Sequence, residues 1–166
     1  LWLSFPVSKT VTVIITLAAM LISWKAGHKK NMLGIEDQDC VMYDFSVSKE
    51  IPQAIKASEE AMEFCEKNSV PEQTVNAVGV TVEELCHNIA VYSSQGSSDV
   101  IDVCVRVFPE RVNVRLRDDG AEFDPTNYID NSGKRITGLK LARMLSSSID
   151  YNRVLGFNVT NIAIDY

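Results

Sequence analysis

No CxxC pair, no GxxxxGK[ST] loop and no internal repeat occurs in this chain of 166 residues. The first absence argues against zinc-ribbon and dithiol-redox chemistry, the second against a Walker nucleotide site, and the third against a solenoid. Positive charge is scarce too. Sixteen Lys and Arg stand against 22 Asp and Glu, a net charge of −6 and a pI near 4.9, which argues against a nucleic-acid binder held by phosphate contacts. Four cysteines (Cys40, Cys65, Cys86 and Cys104) are too few for a disulfide scaffold at this length, so buried thiols in a reducing compartment are expected. No Met opens the chain, which leads us to expect the C-terminal piece of something longer. What is present is an ordinary globular mixture, 46% apolar and 23% charged, enough for one domain and a short extra element.

The apolar residues are unevenly spread. Ten of the twelve residues from Val11 to Ile22 are apolar. Pro6 to Trp24 is 19 residues, about 28 Å as a helix, which matches a hydrocarbon core of roughly 30 Å. Lys9 can snorkel at one end, and Trp24 stands where an interfacial aromatic belongs. Lys25, His28, Lys29 and Lys30 follow, so the positive-inside rule assigns residues 25–166 to the cytoplasm. A signal peptide would carry its charge before the run. A buried core helix stays open, because Ser8, Thr10, Thr12 and Thr16 dilute the stretch. The expected organisation is a membrane helix with a basic flank over 1–30, a linker over 31–39 and a soluble domain over 40–166.

Within 40–166 the pattern reads β-α-α-β-β-loop-α-β-β. Cys40 to Val47 is β-prone, and Ile51-Pro52 opens a helix with proline in its first turn. Ile51, Ile55, Ser58, Met62 and Cys65 would form its buried face. A second helix spans Glu72 to Tyr92 on a stripe of Val75, Val78, Val82, Leu85 and Ile89, with Gly79 marking close packing. Val100–Phe108 and Val112–Arg117 form an antiparallel hairpin. Gly138 to Ser147 is a short helix, and strands near Ile149–Val154 and Phe157–Ile164 close the fold. The expected class is an α+β two-layer sandwich. Its sheet would be mixed but mostly antiparallel, with about three helices on one face, preceded by the N-terminal hydrophobic helix.

Three motifs carry chemistry. Glu84 and Asn88, four apart on a helix, point the same way, although such a pair is common on solvated faces. Asp118-Asp119-Gly120 follows a strand directly and continues to Phe123-Asp124-Pro125. The acid can accept a hydrogen bond from an exocyclic amine such as that of adenine, while the glycine admits a flat ligand; an ordinary Asx turn is the alternative. Asn131 to Leu139 is a glycine-containing loop, with Gly133 and Lys134, feeding a helix N-terminus at Thr137-Gly138 that can offer N–H groups to phosphate. A flexible surface loop is the plain reading of that segment.

Taken in order, these elements resemble the Bergerat-fold (GHKL) ATPases, and Asp118 to Pro125 looks most like the anti-sigma-factor serine kinase branch. The resemblance implies that Glu84 is the general base and Asn88 the Mg²⁺ ligand. It further implies that Asp118 binds adenine above Gly120 and Phe123. Gly133, Lys134, Thr137, Gly138 and Leu139 would form the phosphate-binding box, and Asn158 would support the adenine site. Two positions depart from the pattern: Ile136 stands where relatives have the first Gly of a Gly-x-Gly, and Tyr92 where anti-sigma kinases often have His. His28 and His87 lack the context of a phosphoacceptor, so a complete histidine kinase is not expected. The expected function is a cytoplasmic Mg-ATP-binding domain, with ATP and Mg²⁺ as its ligands. It would transfer the γ-phosphate to a Ser of a small anti-anti-sigma-type protein, as a possible homodimer joined to the end of a membrane protein. A non-catalytic nucleotide sensor gating the attached membrane part is the alternative, since the 6–24 helix resembles the last span of a multidrug-extrusion-type transporter. An ATP-hydrolysing dimer clamp would need domains absent here.

Overall fold

The computed structural model describes residues 40–93, 98–127 and 137–166. The expected membrane helix (6–24) and the loop residues Gly133 and Lys134 lie outside them. Among the described residues no helix is long and apolar enough to cross a membrane.

Among the described residues, five strands and three helices follow the expected order. They are β1 (Val41–Ser48), α1 (Ile51–Lys67), α2 (Glu72–Tyr92), β2 (Val100–Phe108), β3 (Arg111–Asp118), α3 (Thr137–Leu145), β4 (Ser148–Val154) and β5 (Phe157–Asp165). The sheet runs β1-β2-β3-β5-β4. Every pairing is antiparallel, so the expectation of a mixed sheet is corrected. The reason lies in which strands become neighbours. β1 returns to β2 through two helices, whereas β3 and β4, joined through α3, run the same way but are separated by β5, so no parallel pair is hydrogen-bonded.

Alternation selects one sheet face for the core. Ile101, Val103, Val105 and Val107 of β2, Val112, Val114 and Leu116 of β3, and Ile162 and Ile164 of β5 are buried beneath the helices. The helix α2 contributes Val75, Val78, Val82, Leu85 and Ile89 to the same core, as its stripe predicts. The face of α1 is different. Ala54, Ala57, Ser58, Ala61 and Cys65 are buried, whereas Ile51 and Ile55 are 52% and 53% exposed. The helix is turned by about one position from the expected stripe. Small residues let α1 sit close against α2, and a Cβ at Gly79 would lie 2.3 Å from the Met62 sulfur.

The site end of the sheet is set by register. Asp118, the last residue of β3, pairs with Asn158 near the start of β5. Leu155 (φ 51°) and Gly156 (φ 87°) make the tight turn before it.

Candidate nucleotide site

Asp118 and Asn158 point inward at the end of their strands, both 3% exposed. One carboxylate oxygen of Asp118 is crowded with donors. Oδ1 accepts from Ser93 Oγ at 2.5 Å, from the Gly120 N–H at 2.8 Å and from Asn158 Nδ2 at 3.1 Å. Lys49 Nζ stands 3.6 Å from the same oxygen. Oδ2 accepts no hydrogen bond among the described residues. A carboxylate held this way keeps Oδ2 as an acceptor that no described residue occupies, which suits a single amino donor on a flat ring.

Asn158 is satisfied at both ends, and that fixes which way its amide faces. Nδ2 donates to Ser93 Oγ, Asp118 Oδ1 and the Ala121 carbonyl. Oδ1 accepts from Tyr151 Oη at 2.9 Å and Arg153 Nη1 at 2.6 Å, with the Phe123 N–H at 3.5 Å. Burial is the main cause that raises the Tyr151 phenol above its ordinary 10.0, so it stays a donor at neutral pH. Arg153 also donates to the Gly120 carbonyl from Nη1 and Nη2 at 3.3 and 3.2 Å, clamping the turn from β4.

Gly120 is required by space. A Cβ there would lie 1.8 Å from the Ser93 carbonyl oxygen and 2.8 Å from Asp118 Oδ1. Phe123 does not line an opening. It is 2% exposed and stacks on Tyr92 with ring centroids 5.5 Å apart, so the departure at Tyr92 is absorbed into packing beneath the site.

Glu84 and Asn88 occupy successive turns of α2. Asn88, 2% exposed, donates from Nδ2 to the Glu84 carbonyl at 2.5 Å, which leaves its Oδ1 as a hard oxygen donor suited to Mg²⁺. Among the described residues no three His, Cys, Asp or Glu side chains gather into a metal cage. A divalent ion bound through one amide oxygen and substrate phosphates fits that donor set. The Glu84 carboxylate lies against the start of α3, since a Cβ on Gly138 would fall 1.6 Å from Glu84 Oε2. Thr137 is the first residue of α3 and Leu139 packs into the core at 7% exposure. His87 is exposed.

The structure therefore brings together Glu84 with Gly138, and Asp118 with Gly120 and Asn158. Sequence reasoning missed Lys49, Ser93, Tyr151 and Arg153. Tyr151 and Arg153 alternate with Ile149 on β4 and so carry a weak signal of facing the same way. Ser93 heads a serine-rich stretch that reads as loop, and Lys49 is one lysine among many at a helix entrance; neither carries a signal.

A family model described as the histidine kinase-like ATPase domain matches residues 47–163. Among solved structures, the chain is similar to the RsbU and RsbW domains of a Mycobacterium tuberculosis protein. The TM-score there is 0.58 at 13% identity, over 75% of this chain and 32% of that one. It is also similar to a structure from the SiaB–SiaC complex of Pseudomonas aeruginosa, with a TM-score of 0.54 and 14% identity over 92% of this chain and 99% of that one. The chain thus spans about a third of the first of these and almost all of the second. No curated protein matches it. The transporter resemblance of residues 6–24 receives no support from these matches.

Proposed function

Since the chain belongs to the histidine kinase-like ATPase domain family, we propose that it binds Mg-ATP and transfers the γ-phosphate to a serine of a small partner protein. The observation that carries the nucleotide half is Asp118, with Oδ1 saturated by protein donors and Oδ2 left to accept from the adenine amine. Gly120 keeps the floor beneath the base flat. Support for the acceptor half comes from the motif order and from the neighbours, one of which is solved in complex with SiaC and the other as paired RsbU and RsbW domains.

In this reading Glu84 orients or deprotonates the attacking hydroxyl, and the N–H groups at the start of α3 hold the phosphate chain. Asn88 Oδ1 would hold Mg²⁺, which when bound neutralises phosphate charge. Positioning supplies most of the rate. The proposed setting is the end of a membrane protein with residues 25–166 on the cytoplasmic side. A need for detergent by the full chain but not by residues 25–166 is the expected result.

The deciding experiment is nucleotide binding. The chain is expected to bind ATP in preference to GTP, and Asp118→Ala to abolish that preference with at least about a tenfold loss for ATP, the size of a lost acceptor at a buried polar edge. Equal affinity of the parent for both nucleotides would overturn the assignment.

A further inference from the structure

Among the described residues, Lys49 is the one group around Asp118 that the nucleotide reading does not use. It sits between β1 and α1, its side chain only 3% exposed although it is a lysine two residues from a helix entrance. Its Nζ reaches three places at once. It donates to Asp119 Oδ1 at 2.9 Å and to the Ser98 carbonyl at 3.0 Å, and it stands 3.6 Å from Asp118 Oδ1. The backbone repeats the tie, with the Lys49 N–H bonded to the Asp99 carbonyl at 2.8 Å. Asp119 Oδ2 completes the cluster by accepting the Ser98 N–H at 2.8 Å.

Asp118 and Asp119 are consecutive carboxylates beside one small site, with side chains 2% and 12% exposed. Chemically each is an equal candidate to accept a hydrogen bond from a base amine, and together they repel. The chemistry of the two side chains alone does not choose between them. Lys49 does. It draws Asp119 into an ion pair and, with the Ser98 N–H, holds that carboxylate on the side of the 98–99 strand entry. Its charge also lies 3.6 Å from Oδ1 of Asp118, the oxygen that accepts the protein's donors. A buried cation placed this way compensates two buried acids and fixes which oxygen of which acid faces the ligand.

We propose that Lys49 is a positioning residue for base recognition: it partitions the Asp118-Asp119 pair, so that Asp118 Oδ2 alone reads the 6-amino group of the purine. The inference rests on the nucleotide reading above and deepens it. Lys49 touches no substrate atom in this scheme and acts through Asp118.

The test compares ATP with purine riboside triphosphate, which lacks the 6-amino group, on the full chain and on Lys49→Met and Lys49→Gln. The parent is expected to prefer ATP by about tenfold or more. In Lys49→Met the preference should collapse to about twofold or less, with purine riboside triphosphate bound as in the parent. Lys49→Gln keeps a donor for the Ser98 carbonyl and loses the charge, and it should behave like Lys49→Met. An unchanged preference in either folded variant overturns the proposal. An equal weakening for both nucleotides overturns it as well, because that is the mark of a merely structural residue, as is failure of both variants to fold. A parent that does not distinguish the two nucleotides defeats the adenine assignment itself, and so is told apart from failure of the role of Lys49.

Discussion

Gly138 and Glu84 compete for the same volume. A Cβ at position 138 would lie 1.6 Å from Glu84 Oε2 and 2.3 Å from its Cδ, atoms at the far end of a rotatable side chain. Gly138→Ala is therefore accommodated by swinging the carboxylate aside and should leave the melting temperature within a few degrees of the parent. It should still lower phosphate transfer, because the displaced group is the proposed base. Glu84→Ala is expected to bind Mg-ATP nearly as well as the parent and to lose about 10²-fold or more in single-turnover transfer, the usual size of a general-base effect. Similar transfer rates in the parent and both variants would remove Glu84 from the mechanism and favour a nucleotide sensor. Gly120 offers no such escape, since its obstacle is the backbone oxygen of Ser93 at 1.8 Å.

Helix α1 shows what periodicity conveys and what it does not. Its start was legible: Pro52 in the first turn opens Ile51–Lys67 as observed. Its buried face was not, because size decided the packing where hydrophobicity pointed elsewhere. A stripe of Ala54, Ala57 and Ala61 admits close approach to α2, and Ile51 and Ile55 are left outside. Ala61→Leu should therefore destabilise the domain by about 1–3 kcal/mol through overpacking, measured by urea unfolding. Ile55→Ala should cost little, although on hydropathy alone it would rank as the more damaging change. Strands were easier to read than this helix, since period-2 alternation in β2 and β3 marks the buried side directly. The site divides the same way. Glu84, Asn88, Asp118, Gly120 and Asn158 were named from the family resemblance, and the structure sets Asp118 beside Gly120 and Asn158, and Glu84 beside Asn88 and Gly138. Lys49 and Ser93 act through contacts that no local pattern encodes.

At the scale of the whole molecule, buried thiols link stability to pH. Burial raises Cys65 to about 11 and Cys86 to about 12 from an ordinary 9.0. Above pH 9 the unfolded chain gives up these protons while the folded chain keeps them, so stability is level below that point and falls as pH rises towards the folded values. The fall approaches about 1.4 kcal/mol per pH unit for each thiol. Urea midpoints between pH 8 and 11 should decline, and Cys86→Ala should make the decline shallower; an identical slope in that variant would assign the alkaline loss to other groups.

The proposed adenine end of the site also has a history in time. Ser93, Asp118 and Asn158 are joined across 25, 40 and 65 residues of chain, and Lys49 is 70 from its partner Asp119. Nothing short-range can assemble such a set, because each closure must wait for strands distant in sequence to meet. During synthesis the pocket stays unformed until β5 has left the ribosome, when nearly the whole domain has been made. Nucleotide thus has nothing to hold on a nascent or partly folded chain. Where it binds, it recognises the finished molecule and draws the last folding equilibrium towards it.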